Sequence, residues 1–280
     1  VVTAFVTYVV PIAAGYVVGR AVKRRPPAFL FTLVVVALVF FAAANAAETV
    51  FRNVGVFLAV SLLYAFALVF VTGALGLLVD KPEAAEAAKR PAISLYVAAA
   101  LTCGLAVGGV LRFDYASMID PLLVFLLFIA GVDMAHVKIK LEKAVFMAPA
   151  VALLAAAAVG LLFALTFDVT PAVAFGMGWY SFTGPYLAKA GDALGGAYGL
   201  LVNFLREQLT YLLAPVLAKR FGKVGILAMG GATTMDNTLP LYTALYGSSF
   251  ALYAFANGVI LTAVVPIVVP IAHQLYLCCI

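Results

Sequence analysis

The chain has 280 residues, 66% of them apolar and only 10% charged, with a formal net charge of +5. Soluble domains average about 45–50% apolar and about 25% charged residues, so this chain lacks the polar surface that would keep it in water. The composition excludes a disordered segment and a disulfide scaffold. It also excludes a water-soluble catalytic lobe, because the longest polar stretch is Asp80–Pro91.

Apolar blocks long enough to cross a hydrocarbon layer of about 30 Å recur from end to end. The predicted fold class is therefore all-α: a polytopic membrane protein. Val1–Gly19 comes first, and its basic cluster follows it instead of preceding it, so it reads as a retained helix and not as a signal peptide. Ala28–Ala47, Val54–Val79, Ala92–Leu111, Pro121–Met134 and Ala144–Phe167 follow. The fifth of these blocks is short, and an irregular end is expected around Gly131 and Asp133.

Beyond Asp168 the pattern changes. Pro171–Ala190 is interrupted by Gly176, Gly178 and Thr183-Gly184-Pro185. Ala193–Leu217 carries Asn203, Arg206, Glu207 and Gln208 near its middle. Val224–Gly247 is broken by Gly230-Gly231 and by Asn237-Thr238-Leu239-Pro240, and Phe250–Leu277 is a long span with expected kinks at Pro266 and Pro270.

The basic residues lie between apolar blocks, as topogenic charges do, so the positive balance does not imply nucleic acid. Threading both broken blocks as re-entrant hairpins gathers the clusters Arg20–Arg25, Lys81–Arg90, Lys138–Lys143 and Lys219–Lys223 on one side. Only Arg52, Arg112 and Lys189 are left on the other. The positive-inside rule thus predicts eight transmembrane helices plus two broken hairpins, with both termini outside. Hairpins entering from opposite faces suit an inverted-repeat transporter. A match of Val39–Asn45 with Leu127–Asp133 suggests a second duplication upstream. The expected organisation is an N-terminal half, 1–170, of two three-helix units, and a C-terminal half, 171–280, holding the hairpins and the substrate site.

Most of the twelve acidic residues fall in predicted loops. Glu207 does not, and a carboxylate at that depth is costly unless it is paired or faces water. Asn203, Arg206, Glu207 and Thr210 share one helical face. Asp236 lies in the polar run from Gly230 to Pro240, where irregular backbone is tolerated only if buried in protein or lining a cavity. Its counterpart is the run from Gly176 to Pro185, with Trp179, Tyr180, Ser181 and Thr183. Trp179, the single tryptophan, reads either as an interfacial ring or as site lining. Glu48 and Asp133 end their spans, and Asn45 is the positional match to Asp133. No metal-ligand spacing, phosphate loop or dinucleotide fingerprint is present, so no cofactor is expected.

Gly178–Pro185, Asn203-x-x-Arg206-Glu207 and Gly230–Pro240 together resemble the bacterial and archaeal lysine exporter (LysO-type) family. The resemblance implies a transporter and not an enzyme. It also implies export of L-lysine and its analogue thialysine across the cytoplasmic membrane in exchange for protons. Of the two intramembrane acids that matter in the family, one carries over to Glu207. The other falls near the end of the second span, at Glu48 or Asn45; if Asn45 is the match, Asp133 or Asp236 serves instead.

On this reading Glu207, with Asp236 or Glu48, alternately binds the substrate's cationic group or a proton. Thr233, Thr234, Ser181 and backbone amides freed at the breaks receive the α-carboxylate, helped by positive helix ends. Asn203, Arg206, Tyr180, Thr183 and Asn237 complete the candidate site. The expected partners are L-lysine, protons and membrane lipid, with a homodimer if the chain self-associates. The alternatives are an inorganic cation (Na⁺)/proton antiporter, a passive channel and an intramembrane enzyme; the last needs a nucleophile–base pair or paired aspartates.

Overall fold

The computed structural model describes residues 2–22, 26–52, 54–82, 93–136, 143–235, 237–246 and 250–279. Long apolar runs can satisfy their backbone polar groups internally only as helix, and most of the described residues are helical. An isolated antiparallel bridge between Pro82 and Gly222 is the only β pairing among them.

The first six helices are α1 (Val2–Val22), α2 (Ala28–Arg52), α3 (Val54–Gly76), α4 (Ile93–Val110), α5 (Ala116–Met134) and α6 (Lys143–Phe167). The four-residue α7 (Ala172–Phe175) and α8 (Tyr180–Lys189) form a first broken hairpin, followed by the unbroken α9 (Ala193–Leu217). The second broken hairpin is α10 (Lys223–Gly230), a 3₁₀ turn (Gly231–Met235) and α11 (Leu239–Tyr246), before the long α12 (Ala251–Cys279). Val54–Gly76, Met147–Phe167 and Ala251–Cys278 are long and apolar enough to cross a membrane, and shorter apolar stretches lie in α1, α2, α4 and α5. The chain is thus a multi-pass helical membrane protein.

Two sets of helices pack differently. α1 lies along α5 in the same direction, with Gly15 against Phe128 and Gly19 against Val132 and Ala135. In the same way α2 lies along α4, with Gly104 against Phe40 and Gly108 against Ala44. Small residues let such backbones approach closely. α3 and α6 join the hairpins, α9 and α12 in a second group. In it Tyr64 of α3 stacks on Phe163 of α6 with ring centroids 3.9 Å apart, and Phe57 meets Tyr198 of α9 at 4.9 Å.

Each hairpin returns to the end of the bundle where it starts. At one end, Asp168 accepts from the Tyr276 hydroxyl at 2.6 Å. Thr170 lies 3.3 Å from His273, whose Nδ1 is 3.9 Å from Asp192 just beyond the returning arm. Lys189, at the end of α8, pairs with Asp120 near the start of α5. At the other end Asp80 accepts from the Val224 amide at 3.3 Å, and Lys223 stands over the Tyr246 ring.

The fifth block differs from expectation. The helix starts a turn before Pro121, at Ala116, because the Asp114 carboxylate caps it by accepting from the Ser117 amide at 3.3 Å. It also stays regular through Gly131 to Met134. That glycine sits in the tight α1–α5 contact, where a Cβ would meet the backbone of Ile12.

Candidate functional site

The site is built where the two hairpin breaks cross. α7 stops after Phe175, and the chain passes through Met177 at φ 52° and Gly178 at φ 86° before α8 begins. α10 stops at Gly230 and turns through Gly231 at φ 61° into the 3₁₀ turn. The Ala232 amide donates to the Met177 carbonyl at 2.8 Å, so one break is hydrogen-bonded directly to the other. A side chain at Gly231 would collide with that Met177 carbonyl, and the left-handed φ is itself costly for any other residue.

α9 runs past this crossing and presents one polar face to it. Asn203 is fully buried; its Oδ1 accepts from the Gly178 amide at 2.7 Å, and its Nδ2 donates to the carbonyls of Val173 and Gly199. One amide side chain thus ties up the first break. The second break is held from the next turn. Arg206, also fully buried, donates from Nε to the Met229 carbonyl at 2.9 Å and from its second terminal nitrogen to the Ala228 carbonyl at 3.0 Å. These carbonyls end α10, where the helix dipole is negative and a cation is favoured. Charge-assisted bonds of this kind contribute about 1.5–3 kcal/mol each. The Thr210 hydroxyl donates to the Arg206 carbonyl at 2.8 Å and lies 3.3 Å from the Met229 carbonyl.

Glu207 points elsewhere on the same face. It is 1% exposed; Oε2 accepts from Asn237 Nδ2 at 3.0 Å and Oε1 from Gln208 Nε2 at 3.2 Å. Asn237 Nδ2 also lies 3.4 Å from the Tyr180 hydroxyl, and the Asn237 carbonyl accepts from Tyr211. Adjacent residues on a helix diverge by about 100°, which is why Arg206 serves carbonyls while Glu207 serves side-chain amides.

A cavity of about 20 Å³, room for a single water, lies between the breaks. Its walls include Gly178, Trp179, Tyr180, Ser181, Thr233 and Asn237. Trp179 is 7% exposed and so is a lining residue and not an interfacial one. The remaining hydroxyls are turned to local backbone. Thr183 donates to the Trp179 carbonyl, Thr233 to Gly230 and Thr234 to Gly231, each at 2.9 Å.

Glu48 and Asn45 are not brought to the crossing. Glu48 is exposed at the end of α2, 3.6 Å from Arg112, and with Asn45 it lines a separate, open cavity of about 430 Å³. Asp236 and the Asp133 side chain lie outside the described residues. Sequence reasoning passed over Gln208 and Tyr211 as ligands of this network. It also missed Asn257 of α12, which donates to the Gly231 carbonyl and to Thr234 Oγ1, both at 2.9 Å. A lone asparagine inside the apolar run Phe250–Leu277 was the available signal.

A buried carboxylate near two crossed backbone breaks, in a multi-pass helical bundle, is the arrangement expected of membrane transporters. The profile of the family described as lysine exporter LysO matches residues 98–273, and the chain belongs to that family, one of transporters and not of enzymes. It is similar to the lysine exporter LysO of Escherichia coli, 29% identical over 156 residues that cover 52% of each chain. It is also similar to a Haemophilus influenzae protein named, provisionally, as a lysine exporter. That match is 28% identical over 107 residues, covering 38% of this chain and 54% of the relative. The chain thus spans about half the length of the curated relatives it matches. No solved structure matches it.

Proposed function

We propose that the chain is a secondary active transporter that exports L-lysine and analogues such as thialysine across the cytoplasmic membrane in exchange for protons. The observation that carries the reading is Glu207, an acid buried in the bundle and hydrogen-bonded by the Asn237 and Gln208 amides near two crossed breaks. Lysine carries an ammonium on its side chain besides its zwitterionic end, so it needs an intramembrane carboxylate and separate donors for its own carboxylate. Glu207 takes the ammonium or a proton in turn, with a second acid drawn from Glu48, Asp133 or Asp236. Tyr180, Ser181, Thr233, Thr234 and Asn237 offer hydroxyls and an amide to the rest of the molecule. Asn203 and Arg206 hold the breaks that frame it.

The threading proposed is eight spans and two re-entrant hairpins with both termini outside. It is supported by the return of each hairpin to its starting end. The proposed inverted repeat pairs α1–α3 with α4–α6, and it is supported by the matching contacts α1 with α5 and α4 with α2. The cavity at the crossing has room for one water and not for a lysine, so transport requires the two helix groups to move apart.

Flux of labelled lysine and of Na⁺ in proteoliposomes under an imposed pH gradient tests the reading. Uphill lysine movement driven by the proton gradient supports it. Proton flux that follows Na⁺ and ignores lysine overturns it in favour of a cation antiporter.

A further inference from the structure

The two hairpins repeat each other in how an asparagine meets the break. Asn203 follows Gly178 by 25 residues and Asn257 follows Ala232 by the same spacing. Each asparagine lies on the long helix after its hairpin, and each is fully buried. Asn203 is satisfied on both sides, its oxygen by the Gly178 amide hydrogen. Asn257 is not. Its Nδ2 donates to Gly231 and Thr234, while its Oδ1 is buried with no hydrogen-bond partner. The orientation of the amide is fixed by its neighbours. The Gly231 carbonyl can only accept, and Thr234 already spends its hydroxyl hydrogen on that same carbonyl.

The missing donor can be named. By the repeat, the partner of Asn257 Oδ1 is the Ala232 N–H, and that hydrogen is turned instead to the Met177 carbonyl across the crossing. A buried acceptor left open in this way calls for an explanation. Opening the crossing would leave the Ala232 N–H without an acceptor at membrane depth, which backbone groups do not tolerate.

Resting on the transport reading above, we propose that Asn257 is a positioning residue. It is the waiting acceptor to which the Ala232 N–H passes when the two breaks separate during the transport cycle. The peptide between Gly231 and Ala232 turns over, which glycine at 231 permits: its hydrogen moves from the Met177 carbonyl to Asn257 Oδ1, and its carbonyl leaves Asn257 Nδ2 and Thr234 and turns into the opened crossing. The second break then carries the bond that the first already makes to Asn203.

The test is lysine transport by Asn257→Leu and Asn257→Asp in proteoliposomes at mildly acidic pH, with melting temperature measured beside it. Leucine keeps the volume and removes the acceptor together with the two donors; a protonated aspartic acid restores the acceptor and one of the two donor hydrogens. The maximal rate of Asn257→Leu should fall about tenfold or more while KM stays near that of the unsubstituted protein, because Glu207 and its amides are untouched. Asn257→Asp should restore the rate. A leucine variant that transports at the unsubstituted rate overturns the proposal, as does a rate loss that tracks a raised KM. If the leucine variant does not fold, a folded Asn257→Asp with the rate lost overturns it equally, and one with the rate kept supports it. Absence of lysine flux in the unsubstituted protein overturns the transport reading, and this assignment with it.

Discussion

The family resemblance carries over to Glu207 and, for the second acid, to Glu48 or Asn45, and the two glutamates sit in opposite surroundings. Glu207 is enclosed between α9 and the second hairpin, held by Asn237 and Gln208. Glu48 stands in the open at the end of α2, beside Arg112. A carboxylate at a wet rim keeps its hydration, and its pairing contributes little. A carboxylate inside the bundle has only the groups its neighbours provide, so exchange of those groups for a cation or a proton changes its energy greatly. The breaks are what place such exchangeable groups at Glu207 and not at Glu48.

Substitutions sharpen this contrast, beginning with the largest effect. Glu207→Gln should reduce coupled lysine flux about a hundredfold or more with a small change in melting, since glutamine keeps the shape and its oxygen can still accept from Asn237 or Gln208. Flux near that of the unsubstituted protein would remove Glu207 from the mechanism. Arg206→Ala leaves the Ala228 and Met229 carbonyls buried without their donor, and should destabilise the detergent-solubilised protein by about 2–5 kcal/mol. Thermal unfolding checks it, and Arg206→Lys should recover part of the loss through a single donor. Gly231→Ala sets a Cβ against the Met177 carbonyl at a left-handed φ and should cost about 1–3 kcal/mol, read in the same melt. The smallest effect belongs to Glu48→Gln. Its exposed pair with Arg112 should be worth less than about 1 kcal/mol, and a larger shift in melting would mean that this rim is less hydrated than its exposure implies.

Much of this was legible in the chain. The apolar blocks coincide with the helices to within a few residues, because twenty-residue apolar runs leave the backbone no alternative to helix. The face shared by Asn203, Arg206, Glu207 and Thr210 followed from helical periodicity, and both breaks followed from glycine placement. What each polar group on that face touches was not legible. Arg206 was a candidate for substrate binding; it clasps the end of α10, a contact set by how separate segments pack. The bond between Met177 and Ala232 is of the same kind, since no local pattern tells one broken segment that it will cross another. The start of α5 was missed for a smaller reason. Pro121 looked like a boundary, whereas the Asp114 cap let the helix begin ahead of it.

The most direct measurement is labelling of Glu207 by a membrane-permeant carbodiimide, followed by mass spectrometry with and without L-lysine. The account predicts that Glu207 is modified as the crossing opens and that lysine protects it in proportion to occupancy. Modification of Glu207 at the same rate at every lysine concentration, or protection confined to Glu48, would contradict it.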